Sequence, residues 1–377
     1  MKNWRRILGI TTAVVTLAAF AAGCGGGSSS ASSSGGSAAP AEEKTEEAAA
    51  SSDEVYVMKV ACSNPQESSL GTNLLYFEEK VEELTNGRVD VVPYLNGTLC
   101  STMDEINSVL DGSAQACSTV NAVADTIIPI ENIPTIPFLI TVDPGDYKLQ
   151  LALETDPELQ GILNEEAEKV GLKRLGSVPA TLGLYLVGNN VRPVEKFSDM
   201  KGLTIRCAGG EMYNIILNAV GASPVQITVA ETAVALNQGT VDGLLTNLTW
   251  SHPANIHTKY LSLPWFMECS TPYYVNMDFW NSLPADIQDI IENQVMPDVK
   301  KHACELMGEW EVKFLEEIQE EPYNTEISYI DFTDPENAAI IEQVRDAGRD
   351  YYLNICGEAG QKAYDRVLAI KAEQGYE

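Results

Sequence analysis

The sequence predicts an α/β protein of two similar lobes around a central cleft. Three observations carry that expectation. A β-α-β-α-β pattern runs from residue 55 to 119 and returns from 203 to 245, and two such blocks imply two α/β lobes. Long helical patterns follow the second block, at 285–320 with an interruption at Pro297, and at 335–372. The chain has 377 residues, 45% of them hydrophobic and 21% charged, which is material for two cores and excludes a disordered or collagen-like chain.

Lys2, Arg5 and Arg6 precede the apolar run Ile7 to Phe20 and the small residues Ala21-Ala22-Gly23. This is the layout of a secretory signal peptide. Cys24 directly after Ala-Gly resembles a bacterial lipobox, which implies lipidation of Cys24 as the mature N-terminus. Residues 25–53 are mainly Gly, Ser, Ala and Glu, with one Pro and no aromatic or branched aliphatic side chain. Such a segment buries too little surface to offset ordering and reads as a tether with a reach of about 30 Å.

The first block opens with a strand at 55–61. Leu70, Leu74, Phe77, Val81 and Leu84 then recur at helical spacing up to Asn86-Gly87, a helix-ending pair;. A strand follows at 88–92. Ser101 and Asp104 resemble a capping box for a helix carrying Met103, Ile106 and Leu110 and ending at Gly112, before a strand at 114–119;. The second block has strands at 203–207, 225–228 and 241–245. Between them lie a helix at 211–220, with Met212, Ile215, Ile216 and Ala219 inward, and one opened by Thr228 and Glu231 and closed by Gly239.

The 54 acidic residues outnumber 24 basic ones, for a formal net charge of −30. That balance argues against nucleic acid as a partner, because phosphate neutralisation needs clustered Lys and Arg. Beyond the N-terminus no stretch has the length and apolarity of a membrane span. Seven cysteines follow Cys24 with no C-x-x-C spacing, so neither a complete disulfide framework nor a zinc site is signalled;. His252, His257 and His302 are too few and badly spaced for a metal centre, and no cofactor motif is present;. Ser198-Asp-Met-Lys201 matches S-x-x-K, but its companion K-T-G is missing and it precedes a strand instead of opening a helix;. No persuasive catalyst emerges, so the sequence reads as a binding protein, not an enzyme.

Arg206 stands at the C-terminal end of a strand with Gly209-Gly210 before the next helix. Open α/β sheets hold ligands at such strand ends, and a guanidinium there grips a carboxylate through two parallel hydrogen bonds. The segments Asp199-Met-Lys-Gly-Leu-Thr-Ile-Arg206, Val220-Gly-Ala-Ser-Pro-Val225 and Ala235-Leu-Asn-Gln-Gly-Thr-Val-Asp-Gly243 resemble the core signature of the DctP-like solute-binding proteins of tripartite ATP-independent periplasmic (TRAP) transporters. Leu84-Thr-Asn-Gly-Arg-Val-Asp-Val91, Asn96-Gly-Thr-Leu99, Ile133-Pro-Thr-Ile-Pro-Phe-Leu139 and the run from Tyr274 to Asp286 agree, so the resemblance extends from about residue 55 to the C-terminus.

The resemblance implies a periplasmic-binding-protein-like fold whose cleft closes on an organic acid and delivers it to membrane permease subunits, with Arg206 as the carboxylate-binding arginine. The expected organisation is a signal peptide at 1–23, a lipidated cysteine and tether at 24–53, a first domain at 54–183 with a return segment at 273–312, and a second domain at 184–272 that resumes, together with the C-terminal helices, at 313–377. Three departures qualify it. An upstream arginine common in the family has no counterpart, since Arg174 and Arg192 do not fit its position. Leu244-Leu245-Thr246-Asn247 replaces a polar pair, which makes Thr246 and Asn247 candidate substitutes. A first-domain Gly-x-x-Asp reads Gly112-Ser-Ala-Gln115.

Placement adds Asn64 and Glu67 after the first strand, Thr119 and Asn121 after another, and Tyr185, Trp250 and Trp265 near the crossovers. One matched arginine and an apolar lining from Tyr185-Leu186 and Leu244-Leu245 favour a monocarboxylate with an apolar or aromatic body, because a second buried carboxylate would lack a partner. The protein is therefore expected outside the cytoplasm, anchored to the membrane by its N-terminal lipid and partnered by permease subunits. A receptor for another permease type or for a sensor kinase, and an exported enzyme of the same shape, remain alternatives.

Overall fold

The computed structural model describes residues 54–124, 126–142, 145–181, 186–263 and 267–376. The signal sequence, Cys24 and the tether lie outside them, as do Tyr185 and Trp265. Among the described residues no helix is long and apolar enough to cross a membrane.

Two sheets form the frame. The first contains β1 (Tyr56–Ala61), β2 (Val89–Tyr94), β3 (Ala116–Ser118), β4 (Leu172–Thr181) and β10 (Cys269–Asn276), in the order β2-β1-β3-β10-β4. The second contains β5 (Leu186–Asn189), β6 (Thr204–Cys207), β7 (Ser223–Gln226), β8 (Gly243–Thr246), β9 (Tyr260–Ser262) and β11 (Glu326–Ser328), in the order β11-β9-β5-β8-β6-β7. β1 pairs in parallel with β2 and β3, and β6 with β7 and β8. These are the two repeated blocks of the sequence. The chain leaves the first sheet after β4 and re-enters it with β10, which runs antiparallel between β3 and β4. β5 is likewise antiparallel to β8 and β9.

The helix Ser69–Leu84 starts where Ser68 accepts from the Gly71 amide and buries Leu70, Leu74, Phe77 and Val81, the stripe expected from its spacing. The expected helix after Ser101 is instead a 3₁₀ turn, Thr102–Asp104, followed by a short α-helix, Glu105–Leu110. Ser101 Oγ donates to Asp104 Oδ2 at 2.6 Å, so the two side chains satisfy each other and neither caps backbone. Thr228 and Glu231 do the same at 2.8 Å. In the helix Glu211–Ala219 the buried face is Met212, Tyr213, Ile216 and Leu217, with Ile215 and Ala219 only half-buried.

The break expected at Pro297 is a π-helical turn just ahead of it, not an end to the helical run. A π-helical turn, Ile291–Val295, links Ala285–Ile290 to Met296–Glu317, and the proline occupies the first turn of the latter, where a missing N–H is tolerated. The last helical segment, Pro335–Gln374, is two helices joined at Gly357, whose backbone (φ 58°, ψ −136°) is not helical, and it packs on both lobes. Arg366 Nη2 donates to Asp156 Oδ2 at 2.6 Å and Lys371 Nζ to Leu139 O at 2.8 Å in the first, while Gly348 lies against Pro137 and against Met212 of the second. Close approach in the second sheet rests on Gly243: a Cβ there would stand 2.1 Å from the Gly188 carbonyl oxygen, on the paired strand β5.

Candidate functional site

A cleft of about 570 Å³ opens between the lobes. The first contributes Ser63, Asn64, Asn96, Thr102 and Met103, and the second Arg206, Tyr213, Gln226, Thr246, Asn247 and Trp250. The ends of β1 and β2 and the 3₁₀ turn supply one wall. The ends of β6, β7 and β8 supply the other, which is where parallel strands deliver side chains to a ligand.

Arg206 sits in β6, the strand next to the sheet's edge, flanked by Val225 of β7 and Leu244 of β8, and is 2% exposed. Its Nε donates to the Ile227 carbonyl at 3.0 Å, which fixes the plane of the guanidinium. The Trp250 ring lies beneath it, 5.5 Å from guanidinium carbon to ring centroid, a cation–π arrangement;. Among the described lining residues Arg206 is the only basic side chain and Glu231 the only acidic one.

Thr246 ends β8 at the cleft wall. Asn247 caps the helix Leu248–Ser251, its Oδ1 accepting from Trp250 N at 2.8 Å and Thr249 Oγ1 at 2.9 Å, so its carbonyl oxygen is committed to structure. Asn64 lines the opposite wall, its backbone oxygen accepting from Asn96 N at 3.1 Å. Asn96 adopts a φ of 57° in an Asn-Gly turn that carries it to the cleft;.

Other expected residues lie elsewhere. Glu67 is exposed and outside the lining, because the chain turns at Pro65 to enter the first helix. Thr119 is fully buried behind the wall, beside Glu105. Asn121 faces the interior, where its Nδ2 donates to Glu131 O at 3.5 Å and its Oδ1 accepts from Cys269 Sγ at 3.5 Å. Leu244 and Leu245 belong to hydrophobic clusters on either side of the second sheet, so the apolar lining comes instead from Val120, Val123, Tyr213 and Trp250. Sequence reasoning did not single out Ser63, Asn96, Thr102, Met103, Tyr213 or Gln226. The Asn96-Gly97 turn was a visible signal for one of them, whereas the others depend on which loops converge.

Both departing arginines have structural employment. Arg174 is buried against Glu131, and Arg192 donates to the Asp199 and Lys201 carbonyls at 2.9 and 2.7 Å, bracing the approach to β6. Ser198 lies in the 3₁₀ segment Phe197–Met200, outside the cleft lining.

Burial governs the titratable groups near the cleft. Glu105, wholly buried, accepts from Ser63 N at 2.5 Å, and loss of hydration pushes its carboxyl up to about 7 while Thr119 and Ser63 oppose the shift. Desolvation also raises the thiols of Cys62, to about 12, and of Cys100, Cys207 and Cys269. Those thiols stay protonated at neutral pH and are poor nucleophiles and metal ligands. Cys62, Cys100, Cys117, Cys207, Cys269 and Cys304 are free thiols, and among the described residues no group of three or more His, Cys, Asp or Glu side chains could hold a metal. His252 bonds to His257 and Glu317 at 3.0 and 3.1 Å, and His302 stacks on Tyr76.

The sequence model for "Bacterial extracellular solute-binding protein, family 7", DctP, matches residues 60–354. The C4-dicarboxylate-binding periplasmic protein DctP of Rhodobacter capsulatus is 26% identical over 253 residues, covering 63% of this chain and 70% of that protein. A TRAP periplasmic solute-binding protein from Desulfovibrio salexigens, solved with orotic acid, superposes with a TM-score of 0.75 at 21% identity, over 84% of this chain and 99% of the other. One from Sulfurospirillum deleyianum, solved with succinate, gives 0.71 at 23% identity, over 84% and 100%. These likenesses share the two-lobed fold found here, and the family match spans both sheets and the cleft between them. The chain belongs to the DctP family of bacterial extracellular solute-binding proteins.

Proposed function

We propose that the protein is an extracytoplasmic TRAP receptor that captures a small monocarboxylate with an apolar or aromatic body, without chemistry, and delivers it to membrane permease subunits. The observation that carries this reading is Arg206, a buried guanidinium near the end of β6 and the sole basic group among the described lining residues. It neutralises one carboxylate through a bidentate pair. Val120, Val123, Tyr213 and Trp250 suit the body of the ligand. A second carboxylate would meet no described basic partner and would cost several kcal/mol to bury, by order of magnitude. Relatives solved with orotic acid and with succinate bracket the choice.

A melting screen on the purified protein tests the reading by pairing monocarboxylates with dicarboxylate analogues, benzoate with phthalate and butyrate with succinate. A ligand at 100 times its dissociation constant adds about 2.7 kcal/mol of stability. The monocarboxylate of each pair should give the larger shift. Larger shifts with the dicarboxylates would overturn the preference, and a full carboxylate panel without any shift would overturn the receptor assignment.

The proposed anchoring follows from Ala22-Gly23-Cys24 and the polar segment behind it. Cys24→Ala should leave the protein unlipidated, either released or unprocessed with its signal peptide retained, with ligand-induced melting shifts unchanged. Cell fractionation with metabolic lipid labelling checks this. An unlabelled wild-type chain, distributed as the mutant is, would refute it.

A further inference from the structure

We propose that Met103 and Gln226 form a latch across the mouth of the cleft, holding the two lobes together and setting how long a captured ligand stays. Met103 belongs to the 3₁₀ turn Thr102–Asp104, between β2 and β3 of the first lobe. Gln226 ends β7 in the second. Both line the cleft, yet Met103 is 42% exposed and Gln226 is also exposed. Side chains that belong to a cleft wall and still meet solvent stand at its rim. Across that rim Gln226 Nε2 lies 3.9 Å from Met103 Sδ, an amide donor facing a thioether acceptor.

Each half of the contact is held in place by its own lobe. On the first, the turn carrying Met103 is pinned by the Ser63 Oγ···Thr102 Oγ1 bond at 2.6 Å and by Ser101 Oγ donating to Asp104 Oδ2 at 2.6 Å. On the second, Gln226 pairs with Cys207 in the ladder beside Arg206, and its side chain crosses Gly209. A Cβ at residue 209 would stand 2.5 Å from Gln226 Nε2, and the backbone there has a φ of +131°. Glycine supplies both the clearance and the conformation. The loop that follows Arg206 is thus the seat of the latch glutamine.

A thioether is a weak acceptor on a flexible, polarizable side chain. The contact is therefore suited to repeated opening, where an ion pair would resist it. A ligand held at Arg206 lies inside the latch and leaves only after Gln226 and Met103 part. This inference rests on the cleft being the ligand site, but its test uses no ligand, so the two fail separately.

Hydrogen–deuterium exchange on the full chain is the measurement. Met103→Ala, a change at an exposed side chain of the first lobe, should speed exchange around Gly209 and Gln226 in the second by about three- to tenfold, because the closed state protects those amides less often. Met103→Gln, which offers a stronger acceptor to Gln226, should slow exchange in the same segment. Gly209→Ala, which displaces Gln226, should speed exchange around Thr102 to Glu105 on the opposite lobe. Should that variant fail to fold, the two Met103 variants decide. Exchange that changes only on the lobe carrying each substitution would overturn the latch, even in a chain that binds carboxylates in the melting screen.

Discussion

Arg206→Ala is expected to weaken binding of the strongest acid from the melting screen by roughly 30-fold to several thousand-fold, or about 2 to 5 kcal/mol. The arginine is almost wholly buried, held by the Ile227 carbonyl and the Trp250 face. A carboxylate arriving there is desolvated, and truncating its partner leaves a buried charge unpaired. Arg206→Lys should also bind poorly, because an ammonium keeps the charge but loses the planar fork and the Nε–H that meets Ile227. Titration calorimetry on both variants reads the effect, with circular dichroism confirming that they remain folded. Affinity within about threefold of wild type for both, a difference well below 1 kcal/mol, would mean that the carboxylate is held elsewhere.

Arg174→Met should produce the largest loss of stability of any single change considered, about 3 to 5 kcal/mol. Arg174 is 1% exposed, and its Nε lies 2.5 Å from Glu131 Oε1, with Nη2 3.5 Å from Oε2. Its remaining donors reach Gln160 Oε1 at 2.7 Å and Ser177 Oγ at 3.1 Å, and Ser177 in turn donates to Glu154. Methionine fills much of the volume but leaves Glu131, 2% exposed, without its counter-charge. The double variant Arg174→Met/Glu131→Leu should recover most of the loss, since replacing both members of a buried pair with apolar groups is often neutral. Urea unfolding midpoints of the full chain decide. A single variant within about 0.5 kcal/mol of wild type, the range of an ordinary surface substitution, would show that the pair contributes little.

The contrast between these two arginines marks what was legible. Arg206 was readable because its strand, the glycines after it and the neighbouring motifs all lie within one contiguous stretch. Thr246, Asn247 and Trp250 follow along the next parallel strand, so strand-end logic brought them to the same wall. Glu67, Thr119 and Asn121 were also placed after strands, and there the same logic overreached. It locates the end of a sheet but not the direction in which each loop residue turns. Pro65 redirects the chain before Glu67, Thr119 packs behind the wall beside Glu105, and Cys269, remote in sequence, meets Asn121 in the interior.

The repeated β-α-β-α-β blocks, the helical stripe from Leu70 to Leu84 and the position of Arg206 follow from the sequence by itself, because each rests on periodicity or on neighbours a few residues apart. The tertiary structure alone decided that β10 returns between β3 and β4, that Arg174 meets Glu131 from 43 residues away, and that Met103 faces Gln226 from 123. Periodicity sets which face of an element is apolar, whereas pairing across a cleft or inside a core depends on chain reversals far from either partner.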